Sequence, residues 1–546
     1  MCIYTTENLK PCFRYKRLIT EREFRIKTNI RNLLTMDVTR LRAVYVKNRI
    51  YILSIAIGLA VGIITVPYRY VLMKSVLVRD YLFYPGRPLY FHLLILAGMW
   101  GVAMLIYLSI KKFPMIEGSG IPQVEGYLCS RFPAVNNFKQ MVLKLFGSIA
   151  GIGMGLSLGR EGPSVQAGAF IANMVGKWSR VNPFEQRFLT SGGAAAGLSA
   201  VFTAPLASTI FVNEEISKYQ SPRISVTALL ATVTSGWIAK AVFMGNEYSS
   251  ISHAAPSSGE LYLLLPVIIV LALFMAFSGK VFNYLLLLFK DRYKNSKLPA
   301  PLRIFGVTLL IFILGLFIPD LVAGGEPAIF KYSAPGGALW WILILFLIKL
   351  IITPLCYALG FPGGIFLPLL VIGALGGKLF LLVLCSFGMP YEAYSGFFML
   401  ISMAAIFAAS VRSPITGLIL ILEITGQFTM FFPMIVLVGL TFFFSEIMNV
   451  KPIYDSLYER LLPKNYADED KTVSGFYGVC PGSYVAGKTI KELTLPDGSR
   501  IVAFERDGKL SGDMEIPLLP GDLIEVRLRS KYLEPLHRAL RSLCNE

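Results

Sequence analysis

Gly159-Arg160-Glu161-Gly162-Pro163, with Gly168 five residues on, is repeated in pattern by Gly364-Ile365-Phe366-Leu367-Pro368, with Gly373 five residues on. Both read Gly-x-x-x-Pro-x-x-x-x-Gly inside apolar sequence. Downstream, Pro205-Leu206 with Glu214 nine residues later matches Pro414-Ile415 with Glu423 nine residues later. The Pro-to-Pro intervals are 42 and 46 residues, so order and spacing recur together. Two paired motifs in register read as an internal repeat; chance recurrence in a Gly/Pro-rich apolar chain is the competing reading. That the second copy is upside down is an inference from membrane proteins whose inverted halves bring broken helices to a midplane site.

The surrounding composition places this repeat in a bilayer. Of 546 residues, 55% are hydrophobic and only 16% charged, with a mean hydropathy of +0.60. Soluble domains carry about 25% charged residues, so a soluble enzyme, a disordered chain and a collagen-like chain are all excluded. Apolar segments run at 51–67, 88–110, 139–158, 164–176, 192–213, 224–243, 261–289, 303–323, 338–359, 365–388, 395–411, 414–425 and 431–447. Several fall short of the ~20 residues a straight span needs. Backbone groups freed by a broken helix must be buried in protein or line a watery cavity. The expected fold is therefore an all-α polytopic membrane protein of broken, tilted helices in an inverted repeat, with a small α/β domain appended.

The net charge of +18 is not spread as a nucleic-acid surface would be. Residues 1–50 carry 12 Lys/Arg against 4 Asp/Glu, whereas residues 464–546 carry 12 against 13. The remaining excess lies in loops between spans, as the positive-inside bias requires. Seven scattered Cys, an odd number, make no disulfide framework, and three distant His suggest no metal site. The first long apolar run begins near Tyr51, so no cleavable signal peptide is expected. Four regions follow: a basic arm over 1–48 with a helical-looking stretch Glu21–Leu34, a membrane domain over 49–463, a linker over 464–477 and a soluble module over 478–546. In the module, Arg500–Arg506 and Leu523–Leu528 read as strands, Asp507-Gly508 and Pro520-Gly521 as turns, and Lys531–Leu543 as a helix. A module this small is expected to dimerise.

Three Gly-rich breaks carry the chemistry: Gly118-Ser119-Gly120-Ile121-Pro122, Gly159–Pro163 and Gly364–Pro368. Each precedes a helix, and helix N-termini present unpaired N–H groups and partial positive charge. Together Gly118, Gly120, Gly159, Arg160, Gly162 and Gly364 could form a cradle for a dehydrated anion without a fixed cation; tight turns between packed spans are the bland alternative. Glu161 places a carboxylate among those donors. Ionised, it competes with an anion; protonated, it releases its place, so it could be gate and proton carrier, unless it simply pairs with Arg160. Ionisable residues within spans are functional candidates by default. Of Glu214-Glu215, adjacent on a helix and about 100° apart, one could face the interior and pass a proton to Glu161 while the other faces solvent or a subunit boundary; a helix end at the membrane surface is the alternative. Tyr454 fits an anion ligand or an interfacial belt residue equally, and Lys144 a source of positive potential or a structural ion pair. No His/Asp/Ser constellation on adjacent spans supports an enzyme.

Taken together, these segments closely resemble the CLC chloride channel/transporter family over roughly residues 49–463. The resemblance implies a homodimer with an anion path in each subunit. It implies that the Ser119 and Tyr454 hydroxyls and the Ile365 and Phe366 amides hold chloride, that Glu161 is the external gating glutamate, and that Glu215 is the internal proton-transfer glutamate. A glutamate at 215 favours a chloride/proton antiporter over a passive channel, and Ser119 fits the chloride-preferring pattern. Residues from Ala486-Gly487-Lys488-Thr489-Ile490-Lys491-Glu492-Leu493 through Pro520-Gly521-Asp522 look like an RCK-C (TrkA-C) module, some of which bind cyclic di-AMP at a dimer interface. The resemblance also implies a multi-pass protein of the inner membrane with both termini cytoplasmic. The long N-terminal arm departs from the family pattern.

Overall fold

The computed structural model describes residues 38–128, 132, 138–218, 222–243, 251, 256, 258–462, 472–479, 483–493, 499–506 and 509–529. The chain divides into two units, residues 1–52 and 53–546. Of the first, the described part is the start of helix α1 (Val38–Leu82); Glu21–Leu34 lies outside the described residues.

In the second unit α1 is followed by α2 (Leu89–Lys112), α3 (Ile121–Leu128), α4 (Phe138–Gly153), α5 (Glu161–Trp178), α6 (Pro183–Phe202), α7 (Pro205–Phe211) and α8 (Pro222–Val242). Then come α9 (Ser258–Asn295), α10 (Ala300–Phe317), α11 (Glu326–Tyr332), α12 (Leu339–Ala358), α13 (Phe366–Ser386), α14 (Ser395–Ser410), α15 (Pro414–Thr425), α16 (Phe431–Ile447) and α17 (Ile453–Leu461). Nine helices among the described residues are long and apolar enough to cross a membrane. The others include α3, α7, α11 and α17, of eight, seven, seven and nine residues, too short to span. Proline explains where several begin. Pro183, Pro205 and Pro414 sit in the first helical turn, where the missing N–H has no intrahelical partner to lose.

The paired motifs meet at the centre. Gly159 and Gly364 form an isolated antiparallel bridge, each N–H donating to the other's carbonyl at 2.7 Å. Glu423 accepts from the Leu206 and Ala207 amides at 3.1 and 2.9 Å, capping α7. Glu214 accepts from the Ile415 and Thr416 amides at 3.2 and 2.8 Å, capping α15. Each repeat thus caps the other's helix. Contacts that return i to j and j to i mark a two-fold axis, which here passes between Gly159 and Gly364 and inverts one copy on the other. The closing glycines of the two motifs serve packing. A Cβ on Gly168 would lie 2.0 Å from the Gly193 carbonyl oxygen of α6, and one on Gly373 would lie 2.7 Å from the Ser402 carbonyl oxygen of α14. Small residues at such crossings let membrane helices approach closely.

Carried outward at a constant separation of 205 residues, the repeat has two further pairs. Gly118-Ser119-Gly120-Ile121-Pro122 has its mate in Ala323-Gly324-Gly325-Glu326-Pro327: the Gly118 amide donates to Gly360 at 2.9 Å, and the Ala323 amide donates to Gly155 at 2.7 Å. Buried Lys144 donates to the carbonyls of Ile116, Glu117 and Gly118 at 3.0, 3.3 and 2.7 Å. Its mate Lys349 donates to those of Leu321 and Ala323 at 2.8 and 2.9 Å.

The C-terminal part is a sheet of order β1-β4-β2-β3, all antiparallel, from β1 (Thr472–Gly478), β2 (Ser499–Arg506), β3 (Lys509–Ser511) and β4 (Leu523–Arg529). Both expected strands are present, and Ile501, Phe504, Ile524 and Val526 bury one face with Val479, Val485 and Leu518. Asp507-Gly508 and Lys531–Leu543 lie outside the described residues. A 3₁₀ turn over Ile490–Glu492 is closed by a capping box with Thr489, whose amide donates to the Glu492 carboxylate at 2.8 Å; that bond holds the Glu492 carboxyl below its ordinary range.

Candidate functional site

The three glycine-rich breaks converge on the bridge between Gly159 and Gly364. Gly118 and Gly120 take φ of 61° and 96°, a left-handed backbone open chiefly to glycine. They turn the chain so that Ser119 stands before α3, while the Gly363 amide closes back on the Gly118 carbonyl at 3.1 Å. Gly162 abuts this turn: a Cβ there would lie 2.4 Å from the Ser119 carbonyl oxygen and 2.6 Å from its Oγ. No side chain other than hydrogen fits between α5 and Ser119.

Glu161 is the first residue of α5 and fully buried. Its side chain crosses to the other repeat, where Oε1 accepts from the Phe366 amide, at the start of α13, at 2.7 Å. A Cβ on Gly364 would lie 2.1 Å from that oxygen, and one on Gly159 would lie 2.2 Å from Oε2. Oε2 itself is buried and has no hydrogen-bond partner among the described residues. The carboxylate therefore lies in the two-fold junction against helix-start N–H groups. Arg160 does not pair with it; its Nη2 meets Glu326 Oε1 at 3.1 Å. The alternative of an Arg160–Glu161 ion pair is thereby corrected, because the helix start turns the two neighbouring side chains in different directions.

Ser119 and Tyr454 are buried to 1% and 0% exposure. Their hydroxyls approach one another, yet neither Oγ nor Oη has a hydrogen-bond partner among the described residues. Buried hydroxyls are ordinarily satisfied, so each of these two keeps a donor to offer an acceptor. Tyr454 is therefore buried, not a belt residue. Ile365 and Phe366 are fully buried, and the Phe366 ring packs against Phe202, Phe211 and Phe407 at 5.2, 5.9 and 4.3 Å between centroids. Phe211 also meets Tyr454 edge-on at 6.5 Å. Aromatic rings therefore wall the hydroxyls.

Glu215 lies on a π-helical turn, Val212–Ile216, a local widening common at functional positions. It is buried; Oε2 accepts from Ser413 Oγ at 2.9 Å, while Oε1 has no partner among the described residues. Its charged neighbours are Lys218, Asp455 and Glu125, of which Lys218 bonds Glu125 Oε1 at 2.6 Å and also Asp455. Tyr454 is near enough to feel both Glu161 and Glu215. Glu214 is half-buried and caps α15 through the Ile415 and Thr416 amides. Lys144 makes no ion pair among the described residues and binds carbonyls instead.

Sequence reasoning missed Tyr357, whose buried hydroxyl accepts from the Ser119 amide at 3.4 Å. It also missed the Glu125–Lys218–Asp455 cluster, whose members are far apart in sequence. The Lys144–Lys349 and 118–122/323–327 pairs carried a usable signal, the constant separation of 205.

A family model described as "Voltage gated chloride channel" matches residues 101–446. The H(+)/Cl(−) exchange transporter ClcA of Citrobacter koseri is 34% identical over 379 residues, covering 67% of this chain and 79% of that protein. A slow cyanobacterial Cl−/H+ antiporter of known structure matches at TM-score 0.70 and 28% identity, over 76% of this chain and 98% of that one. A eukaryotic CLC transporter matches at TM-score 0.65 and 19% identity, over 75% and 74% of the two chains, and speaks for the fold alone. With the inverted repeat, the spans and these matches in agreement, the chain belongs to the voltage-gated chloride channel (CLC) family and is a multi-pass integral membrane protein.

Proposed function

We propose that this protein is a chloride/proton antiporter in which Glu161 is both the gate and the proton carrier. The observation that carries the reading is the Glu161 carboxylate seated on the Phe366 amide at the junction of the two repeats. Chloride would take the place between the Ser119 and Tyr454 hydroxyls and the Ile365 and Phe366 amides. Donors of partial charge bind an anion firmly enough to strip its water and weakly enough to let it go. When Glu161 is protonated it no longer competes for those donors, and it swings away carrying its proton.

Glu215 would receive the proton from the cytoplasmic face and pass it towards Glu161. Its burial, with Oε1 unpartnered, favours an antiporter over a passive channel, which has no use for a second dry carboxylate. The relatives' names, exchange transporter and antiporter, point the same way. The membrane would be the inner membrane, with both termini cytoplasmic and the working form a homodimer.

Reconstituted into liposomes with a pH gradient, the protein is expected to show a reversal potential displaced from that of chloride. A potential that tracks chloride alone makes it a channel. Glu215→Gln is expected to keep chloride flux within about twofold and to lose proton flux by at least about tenfold.

The C-terminal module would be an RCK-C domain binding cyclic di-AMP at a dimer interface, supported by its small antiparallel sheet. Calorimetric titration of cyclic di-AMP into the full-length protein is expected to release heat; a flat trace removes that ligand.

A further inference from the structure

The two-fold axis that pairs Ser119 with a mate on the opposite side also creates a second chamber. The mate of the Gly118–Pro122 turn is Ala323–Pro327, and it borders a cavity of about 40 Å³ lined also by Arg79, Arg160 and Leu367. Arg160 and Leu367, in its wall, each adjoin in sequence a partner of the Glu161–Phe366 contact.

Arg79, on α1, is buried to 4% exposure. Its Nε and Nη2 both meet Asp80 Oδ1, but Nη1 has no hydrogen-bond partner among the described residues. A guanidinium has five donors in a fixed fork, and a buried charged donor left empty is costly unless an acceptor arrives. Arg160 extends a second guanidinium to the same cavity, engaged by Glu326 at 3.1 Å. The remaining walls are largely apolar, from Leu72, Val76, Ile152 and Leu158. Ala323 is held at φ 54°, a left-handed backbone unusual for a residue with a Cβ, by its bond to Gly155 and by Lys349. The loop is thus fixed in place around the chamber.

We propose that this cavity is an outer halide site, where a monovalent anion binds Arg79 Nη1 and competes with Glu326 for Arg160 before reaching Glu161. The proposal rests on the anion-transport reading only for the direction of travel; binding at the site can be read without transport. Glu326 acts as the competitor: paired with Arg160 it closes the chamber, and displaced by an anion it leaves the guanidinium facing the gate.

The test is anomalous diffraction from crystals of the full-length protein grown with bromide in place of chloride. A bromide peak against Arg79 Nη1 is expected, absent in Arg79→Met and restored in Arg79→Lys. In liposomes, Arg79→Met is expected to raise the half-saturating chloride concentration about tenfold, while Glu326→Gln lowers it about threefold; a merely structural role would not move the two in opposite directions. A peak between Ser119 and Tyr454 with none at Arg79 overturns this site and leaves the antiporter reading standing. A peak at Arg79 with none between Ser119 and Tyr454 does the reverse. A cavity peak that persists in Arg79→Met overturns the assignment to Arg79, and a map with neither peak overturns both.

Discussion

Glu161→Gln is expected to leave chloride moving while chloride-driven proton uptake falls by at least about a hundredfold. Glutamine keeps the size of the side chain and an oxygen that can accept from the Phe366 amide, where Glu161 Oε1 now lies at 2.7 Å. It cannot carry a proton or compete as an anion. The two roles assigned to one side chain are therefore lost together, and chloride should find the junction permanently available. The measurement is proton uptake driven by a chloride gradient, with chloride flux followed in the same vesicles. Proton uptake at the wild-type rate would remove Glu161 from the transport path. The consequence is specific to the geometry, because the carboxylate crosses from one repeat to the other and no nearby ion pair explains its burial.

The second large effect concerns the supports of the site. Lys144→Met removes the donor to three carbonyls of the turn before α3, those of Ile116, Glu117 and Gly118. The Glu117 carbonyl keeps a bond from Gln123 Nε2 at 2.7 Å and the Gly118 carbonyl one from the Gly363 amide at 3.1 Å, so Ile116 is the carbonyl left empty. A buried carbonyl without a partner costs about 1–3 kcal/mol, and the variant should lose about that much stability. Lys349→Met takes the donor from two carbonyls, of Leu321 and Ala323, that accept from no other group among the described residues, and should lose about twice as much. Thermal unfolding of the full-length protein in detergent ranks the two. Equal and negligible shifts would show that neither lysine holds its loop. Because Gly118 turns the chain into Ser119, Lys144→Met should also weaken chloride binding, whereas Glu161→Gln should leave the melting temperature close to that of the wild type.

The recurrence of Gly-x-x-x-Pro-x-x-x-x-Gly identified the repeat, and its recurring spacing implied two equivalent halves. It did not show what the recurring Pro-to-Glu spacing is for. Glu214 and Glu423 are exchanged between repeats as helix caps, a partnership across about two hundred residues that no local pattern encodes. The same holds for Arg160, whose partner Glu326 lies in the other half. The pair Gly118–Pro122 with Ala323–Pro327 is weak in sequence because only its second glycine and its proline are kept, while the turn geometry and the lysine that braces it persist.

Sequence by itself determined that the chain spans a membrane with broken helices, that one pattern occurs twice, and which residue types could receive an anion and a proton. Those properties follow from composition, from where glycine and proline interrupt helices, and from the chemistry of each side chain. Only the tertiary structure decided which groups meet: that Glu161 reaches Phe366 rather than Arg160, that Ser119 and Tyr454 are both buried with hydroxyls unpartnered among the described residues, and that Arg79 and Arg160 line one cavity. The physical reason is that a two-fold axis brings distant segments into contact, and a buried polar group is satisfied by whatever that axis places within about 3 Å, whatever its distance along the chain.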